Sequence, residues 1–351
     1  MAGGMQPTRV VALTPAGAVV ARRLSQALAA ECWLPISKAA AGDQPFAKLA
    51  SVFADAFAAR ENLVCVMAAG IVVRGIAPYL RGKNSDPAVV VVDEEGRFAV
   101  SLLSGHLGGA NELACRVAAA LKGTPVITTA TDIQGLPALD VIAQQAGLVI
   151  ENLASVKEVA MTLLSGQPVG LVDPAGLLAE VLSPFEHLFH PEGDVDAALA
   201  AGIKPTVYVG YQERNWPAGW LRLRPGCLIA GVGCHRGIAP QEILTFIQEI
   251  FRQERLSLVS LQALASIAVK KEEPGLREAA RRLNVEILWF TAEELERVPV
   301  PHPSAQAARY VGAKSVSEAA ALKASQGGEL VVAKRKSANV TVAVARAILP
   351  S

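Results

Sequence analysis

Short runs of β-branched and other apolar residues recur along the chain, and each gives way to a longer stretch whose apolar residues return every three or four positions. Over residues 1–150 the short runs are Arg9–Leu13, Leu63–Met67, Ala88–Val92, Phe98–Leu102 and Pro125–Thr128. The helical stretches are Ala16–Ala30, Phe46–Ala59, Gly109–Leu121 and Ala138–Gln145. Strands that alternate with helices predict an α/β fold, with a mainly parallel sheet and helices packed on its faces.

From Glu151 to Arg224 the alternation gives way to short, irregular pieces punctuated by Pro168, Pro174, Pro184, Pro191, Pro205 and Pro217. It resumes with the strand Cys227–Ala230 and the helix Gln241–Gln253. There follow Ser266–Val269, the helix Leu276–Leu283, Val285–Phe290, the helix Val316–Lys323, and the paired runs Leu330–Ala333 and Val340–Ala345. At 351 residues the chain exceeds one ordinary domain. It reads as two α/β domains with mainly parallel sheets, 1–150 and 225–351, joined by a smaller irregular middle domain or connector, 151–224. The Pro-rich Val298–Ser304 is a loop.

Thirty-three Lys and Arg against 32 Asp and Glu leave a net charge of +1, which is no footprint for nucleic acid. Any anionic partner must be held locally. Five cysteines, an odd number set in apolar runs, argue against a disulfide framework and for a reducing, cytoplasmic setting. Although 52% of the residues are hydrophobic, charge, Gly or Pro interrupts every apolar run short of bilayer length. The Val10–Ala21 run carries Pro15 and Gly17 and makes a poor signal segment. His187, His190, Glu192 and Asp194 supply no closed ligand set between Pro184 and Pro191, so a solvated loop is expected there and no metal site.

The most informative segment is Ser101-Leu-Leu-Ser-Gly-His-Leu-Gly-Gly-Ala-Asn-Glu-Leu-Ala114, a strand end, a Gly-rich turn and a helix start. Gly105, Gly108 and Gly109 let backbone amides approach a ligand, and a helix N-terminus favours carboxylate or phosphate. Ser104, His106, Asn111 and Glu112 sit in that turn. His106 there has the polar setting that proton transfer needs. Thr128, Thr129, Thr131 and Asp132 follow another strand; they either bind a polar ligand beside His106 or cap the next helix. Gly70 follows a third strand, with Arg74 on the next helix and Lys83 downstream. Both cations either pair with ligand carboxylates or are solvated surface charges. Gly231-Val-Gly-Cys-His-Arg-Gly237 joins strand to helix, with Gly231, Gly233, Gly237 and Arg236 as candidates for anion binding. Its spacing is not that of a dinucleotide fingerprint, and Cys234 reads as packing. Ser315 with Glu318 reads as a capping box.

These blocks resemble the cobalt-precorrin-5A hydrolase family, CbiG, of anaerobic cobalamin biosynthesis. The resemblance is carried by Met67-Ala-Ala-Gly-Ile-Val-Val-Arg74, Asp86-Pro-Ala-Val-Val-Val-Val-Asp93, Leu103-Ser-Gly-His-Leu-Gly-Gly-Ala-Asn-Glu-Leu113 and Val126-Ile-Thr-Thr-Ala-Thr-Asp132. Gly231–Gly237, Ser315–Leu322 and Lys334–Lys336 extend it, and the C-terminal domain is also similar to CobE, a separate cobalamin protein. The resemblance implies opening of the ring A δ-lactone of a cobalt corrinoid, then carbon–carbon cleavage that releases acetaldehyde. His106 is then the expected general base, oriented by Glu112 or Asp132. The amides of Gly108 and Gly109 hold the oxyanion, and Arg74, Lys83, Arg236 and the turn amides position the carboxylate-rich substrate, in a cleft between the α/β domains. Cobalt arrives with the substrate, so no cofactor or metal of the protein's own is expected. Neighbouring pathway enzymes and a homodimer stay open as partners. A non-catalytic tetrapyrrole carrier and a nucleotide-binding α/β protein are the alternatives.

Overall fold

The computed structural model describes residues 6–82, 85–106, 108–302 and 316–349. The chain divides into two compact units, Met1–Val141 and Ile142–Ser351.

The first unit is built on a seven-stranded sheet in the order β3-β2-β1-β4-β5-β6-β7. Its strands are β1 (Thr8–Ala12), β2 (Glu31–Pro35), β3 (Gln44–Phe46), β4 (Asn62–Val66), β5 (Val89–Val92), β6 (Phe98–Leu103) and β7 (Thr124–Val126). All four residues of β5 are buried, as are the last four of β1 and β4, because helices cover both faces. The period-2 alternation of a strand sorts them. Val10, Ala12, Val64, Val66, Val90 and Val92 pack with helices α1 (Pro15–Leu28) and α4 (Ala110–Leu121). Val11, Leu63, Cys65, Val89 and Val91 face α2 (Leu49–Ala59) and α3 (Ala69–Ile76). The α1 helix starts where Thr14 accepts the Gly17 N–H at 3.0 Å and Pro15 supplies the first-turn residue that needs no donor.

Strands β1 to β5 are parallel, but β6 runs antiparallel to β5. A turn closed by Asp93, which accepts the Phe98 N–H at 2.7 Å, makes this reversal. Strand β7 is parallel to β6, so the carboxyl ends of β6 and β7 lie at the edge where β4 and β5 begin. That reversal decides the geometry of the site.

The second unit carries two sheets. The first is ordered β10-β9-β11-β12-β8 from β8 (Leu148–Ile150), β9 (Val169–Val172), β10 (Phe189–Pro191), β11 (Thr206–Val209) and β12 (Trp220–Pro225). The middle region is therefore a sheet in its own right. Pro168 and Pro205 stand just before β9 and β11, and Pro191 and Pro225 end β10 and β12, so these prolines bracket strands that a ladder tolerates only at their ends. Strand β8, which the alternation groups with residues 1–150, pairs antiparallel with β12. Arg224 of β12 is fully buried. It donates to the Gly210 carbonyl at 2.9 Å, the Gln212 carbonyl at 2.6 Å, and the carboxylates of Glu151 at 2.8 Å and Glu213 at 2.5 Å. Burial pushes the Glu151 carboxyl up, but hydrogen bonds from Arg224, Arg222 and Ser257 outweigh it and hold the group below its ordinary value.

The second sheet is ordered β15-β14-β13-β17-β16. It comprises β13 (Leu228–Cys234), β14 (Leu261–Ile267), β15 (Glu286–Phe290), β16 (Glu329–Lys336) and β17 (Val340–Arg346). The helices Pro240–Gln253 and Pro274–Leu283 cover one face, and the helix Val316–Ala324 covers the other. Strand β14 starts five residues ahead of the Ser266 expected from sequence, because its first five residues, Leu-Gln-Ala-Leu-Ala, include no β-branched one. Among the described residues no helix is long and apolar enough to cross a membrane.

Candidate active site

The β6 strand ends at Leu103, and the backbone of Ser104 then turns through φ 60°, a left-handed conformation that costs a non-glycine residue. Ser104 Oγ donates to the Asp86 carbonyl at 2.9 Å, which ties the turn to the loop before β5. Gly108 must lack a side chain, since a Cβ there would stand 2.3 Å from Ser104 Cβ. The sharp turn carries His106 out of the strand, ahead of the start of α4.

The His106 ring is 23% exposed, and its Nε2 lies 2.7 Å from Oδ2 of Asp132, whose side chain is 34% exposed. Asp132 sits in the short helix Ala130–Ile133 after β7. The same carboxylate oxygen accepts Asn111 Nδ2 at 3.0 Å, and Thr131 Oγ1 is 3.3 Å from His106 Nε2. An ionised carboxylate only accepts, so Nε2 carries the hydrogen and Nδ1 keeps its lone pair. Among the described residues no hydrogen-bond partner meets Nδ1. Asn111 is itself buried, with Nδ2 shared between Asp132 and Thr129 Oγ1 at 3.4 Å and with Oδ1 unpartnered among the described residues. An oriented imidazole with a free basic nitrogen, beside a helix start, can take a proton from water and meet developing negative charge.

Several expectations are sorted by this geometry. Asp132, not the exposed Glu112, orients His106. Thr131 and Thr129 join the cluster, and Thr128 is exposed. The Thr129 side chain makes no capping bond, and the Asp132 carboxylate goes to His106 and Asn111 rather than to the helix end. The Gly109 N–H is spent on the His106 carbonyl at 2.8 Å, so of the two glycine amides expected to hold an oxyanion only Gly108 remains. Lys83 lies outside the described residues. Its loop runs past Asp86, whose carboxylate is buried under the amides of Arg81 and Gly82 at 3.0 Å each.

Gly70 and Arg74 do not belong to this cluster. They follow β4 at Val66, whereas His106 follows Leu103, which pairs with Val89 at the opposite end of the ladder. Three strand residues, about 10 Å, separate the two edges. The Arg74 guanidinium folds back to within 3.3 Å of where a Gly70 Cβ would stand, so both keep to the far edge. The separation follows from the β5–β6 reversal.

Gly231 and Gly233 lie within β13 rather than in the expected turn, and both are closely packed. A Cβ on Gly231 would stand 1.9 Å from the Ser317 carbonyl oxygen, so the glycine admits the Val316–Ala324 helix. Gly233 is similarly close to Thr341 Oγ1, at 2.6 Å. The Gly237 N–H already donates to the buried Glu273 carboxylate at 2.9 Å, an anion supplied by the protein itself. Arg236 is exposed beside it. Burial pushes the Cys234 thiol up to about 11, in keeping with a packing role. His190, on β10 rather than on the expected solvated loop, pairs with the largely buried Glu192 at 3.0 Å, and the described residues hold no metal-binding group of three or more His, Cys, Asp or Glu. Ser315 lies outside the described residues, and Glu318, read as its capping partner, is engaged instead by His302 and Lys334. That cluster escaped the sequence because the capping spacing already gave Glu318 a role.

Three family models cover most of the chain: cobalamin synthesis G N-terminal over residues 51–132, the cobalamin biosynthesis central region over 137–225, and cobalamin synthesis G C-terminus over 228–345. A cobalt-precorrin-5A hydrolase of Priestia megaterium is 34% identical over 355 residues, covering 96% of this chain and 94% of its own length. The chain belongs to the CbiG family. Another cobalt-precorrin-5A hydrolase, from Salmonella typhimurium, is 36% identical over 90% of this chain and 91% of its own. Protein CobE of Sinorhizobium sp is 30% identical over 121 residues, 34% of this chain and 79% of its own. The CbiG N-terminal match includes both His106 and Asp132 and ends on the latter.

Proposed function

We propose that this CbiG-family chain is a cobalt-precorrin-5A hydrolase, opening the ring A δ-lactone and releasing acetaldehyde to give cobalt-precorrin-5B in anaerobic cobalamin biosynthesis. The observation that carries the mechanism is the His106–Asp132 pair at 2.7 Å, with Nδ1 left basic. Nδ1 takes a proton from water as its oxygen attacks the lactone carbonyl, and Asp132 stabilises the imidazolium through Nε2–H. The Gly108 amide and the start of α4 meet the oxyanion. Collapse breaks the acyl–oxygen bond, leaving a carboxylate on ring A and a hydroxyl on the two-carbon unit. Removal of that hydroxyl proton forms the aldehyde C=O as the carbon–carbon bond breaks, and the electron pair passes to the conjugated macrocycle.

Cobalt enters as part of the substrate, and the reading assigns the protein no cofactor. A cytoplasmic setting agrees with five free cysteines, three of them fully or nearly fully buried thiols raised to about 11 or 12. Exposed Arg81, in the loop beside Ser104, is a candidate for the substrate's peripheral carboxylates. The nucleotide alternative is not favoured beside relatives named cobalt-precorrin-5A hydrolase over most of the chain. The test is anaerobic incubation with cobalt-precorrin-5A, with acetaldehyde trapped and the corrinoid product weighed. Acetaldehyde with a product of the mass of cobalt-precorrin-5B is expected, and neither product from folded protein would overturn the assignment.

A further inference from the structure

Glu318, in the first turn of the Val316–Ala324 helix, is fully buried. Its carboxylate accepts the His302 N–H at 3.1 Å and the Lys334 N–H at 2.9 Å, and Oε1 lies 2.9 Å from His302 Nδ1. Lys334 Nζ donates to the His302 carbonyl at 3.1 Å, so the residue is held by backbone on both sides and by its ring. A carboxylate held by two amide donors accepts from the ring as well, which places the hydrogen on Nδ1 and leaves the lone pair on Nε2. The side chain is 59% exposed, and among the described residues Nε2 has no partner. An imidazole whose second nitrogen is fixed by a carboxylate is the arrangement that stands behind metal-ligating histidines.

The neighbouring surface says what metal-bearing group fits. A groove of about 710 Å³ draws Val298 and Pro299 from the loop of His302 and Leu322 and Lys323 from the helix of Glu318. Leu288 and Phe290 add to its apolar floor, and its charged lining is Arg297 and Lys323 with one carboxylate, Glu294. His302 stands three residues beyond Pro299, outside the lining itself. An apolar floor with two cations against one carboxylate suits a flat macrocycle edged with carboxylates better than a free ion.

We propose that His302 Nε2 is an axial ligand to the cobalt of a corrinoid bound on this face of the second unit, with Glu318 holding the ring in place. The inference rests on the reading of the substrate as a cobalt corrinoid. The Nε2 lone pair forms the Co–N bond as a water leaves the cobalt. The hydrogen stays on Nδ1, donated to Glu318, so no proton or electron is transferred. The probe is cobalt(II) cobyrinic acid, which lacks a nucleotide base of its own, added anaerobically to the full chain and read by electron paramagnetic resonance. Bound through His302, each cobalt line splits into a nitrogen triplet, which becomes a doublet in protein labelled with 15N-histidine. His302→Ala loses the splitting, whereas His106→Ala and His235→Ala keep it. The labelling arm needs no variant and so does not depend on the folding of one. A probe that binds without nitrogen splitting, that fails to bind, or that keeps its splitting in His302→Ala overturns the proposal. Acetaldehyde release from the same preparation separates the two readings: acetaldehyde without splitting removes only the ligand, and splitting without acetaldehyde removes only the hydrolase.

Discussion

Replacing Gly231 by Ala separates a packing glycine from a ligand-binding one. The added Cβ would stand 1.9 Å from the Ser317 carbonyl oxygen and 2.8 Å from the Ala321 nitrogen, both backbone atoms of the Val316–Ala324 helix. Ordinary contact needs about 3.5 Å, so the helix must withdraw by about 1.5 Å from a closely packed sheet. Overpacking costs typically 1–3 kcal/mol, and a clash with backbone on a strand buried under a helix belongs at about 3 kcal/mol or above. For a unit of this size that is a loss of roughly 6–12 °C in Tm. Gly237→Ala is the control: nothing lies within 4 Å of its added Cβ, and only its φ of 71° opposes the change. About 1 kcal/mol is expected there. Thermal and urea denaturation of both variants decide the matter. Gly231→Ala within 1 kcal/mol of wild type would refute the packing assignment.

Other outcomes follow from the same geometry. Asp132→Asn presents an amide to His106 Nε2 and favours the tautomer with hydrogen on Nδ1, so kcat should fall about a hundredfold or more with KM little changed; an unchanged kcat removes Asp132 from its orienting role. Arg224→Met strips partners from Glu151 and Glu213 and should destabilise the chain by roughly 3–5 kcal/mol in urea unfolding; a loss under 1 kcal/mol contradicts a structural buried cation. Because Glu151 titrates below its ordinary value when folded, its contribution is present above the unfolded pKa of about 4.3 and is lost as pH falls below it. Glu151→Gln should therefore flatten the acid limb of stability against pH, and an unaltered limb would count against the pairing. In thiol labelling at pH 8, Cys115, exposed on α4, should react first, while Cys234 at about 11 has a thiolate fraction on the order of one in a thousand; equal rates would contradict that burial.

Much of the fold was legible because the central strands are buried on both faces and must be written in β-branched residues, as Val89–Val92 is. Strands β2 and β3 escaped notice: Glu31-Cys-Trp-Leu-Pro and Gln44-Pro-Phe lack such a run and lie toward the sheet edge. The middle sheet was hidden by prolines that bracket its short strands instead of breaking them. His106 and Asp132 were readable as polar residues in turns after strands, and β6 lying beside β7 brings them together. A mainly parallel sheet did not name the reversed strand, so a parallel β6 was not excluded and Arg74 was not set apart from His106. The signal against that was present, since Asp93–Arg97 is too short for a crossover and long enough for a hairpin. Glu318 with His302 and Lys334 joins positions far apart in sequence, and no spacing rule announces such a contact.

The most direct test of the central claim is single-turnover release of acetaldehyde from cobalt-precorrin-5A by wild type and His106→Ala side by side. The His106–Asp132 account predicts release by wild type and a rate lowered by roughly a hundredfold or more in the variant, with corrinoid binding retained. Equal rates in the two proteins would contradict it.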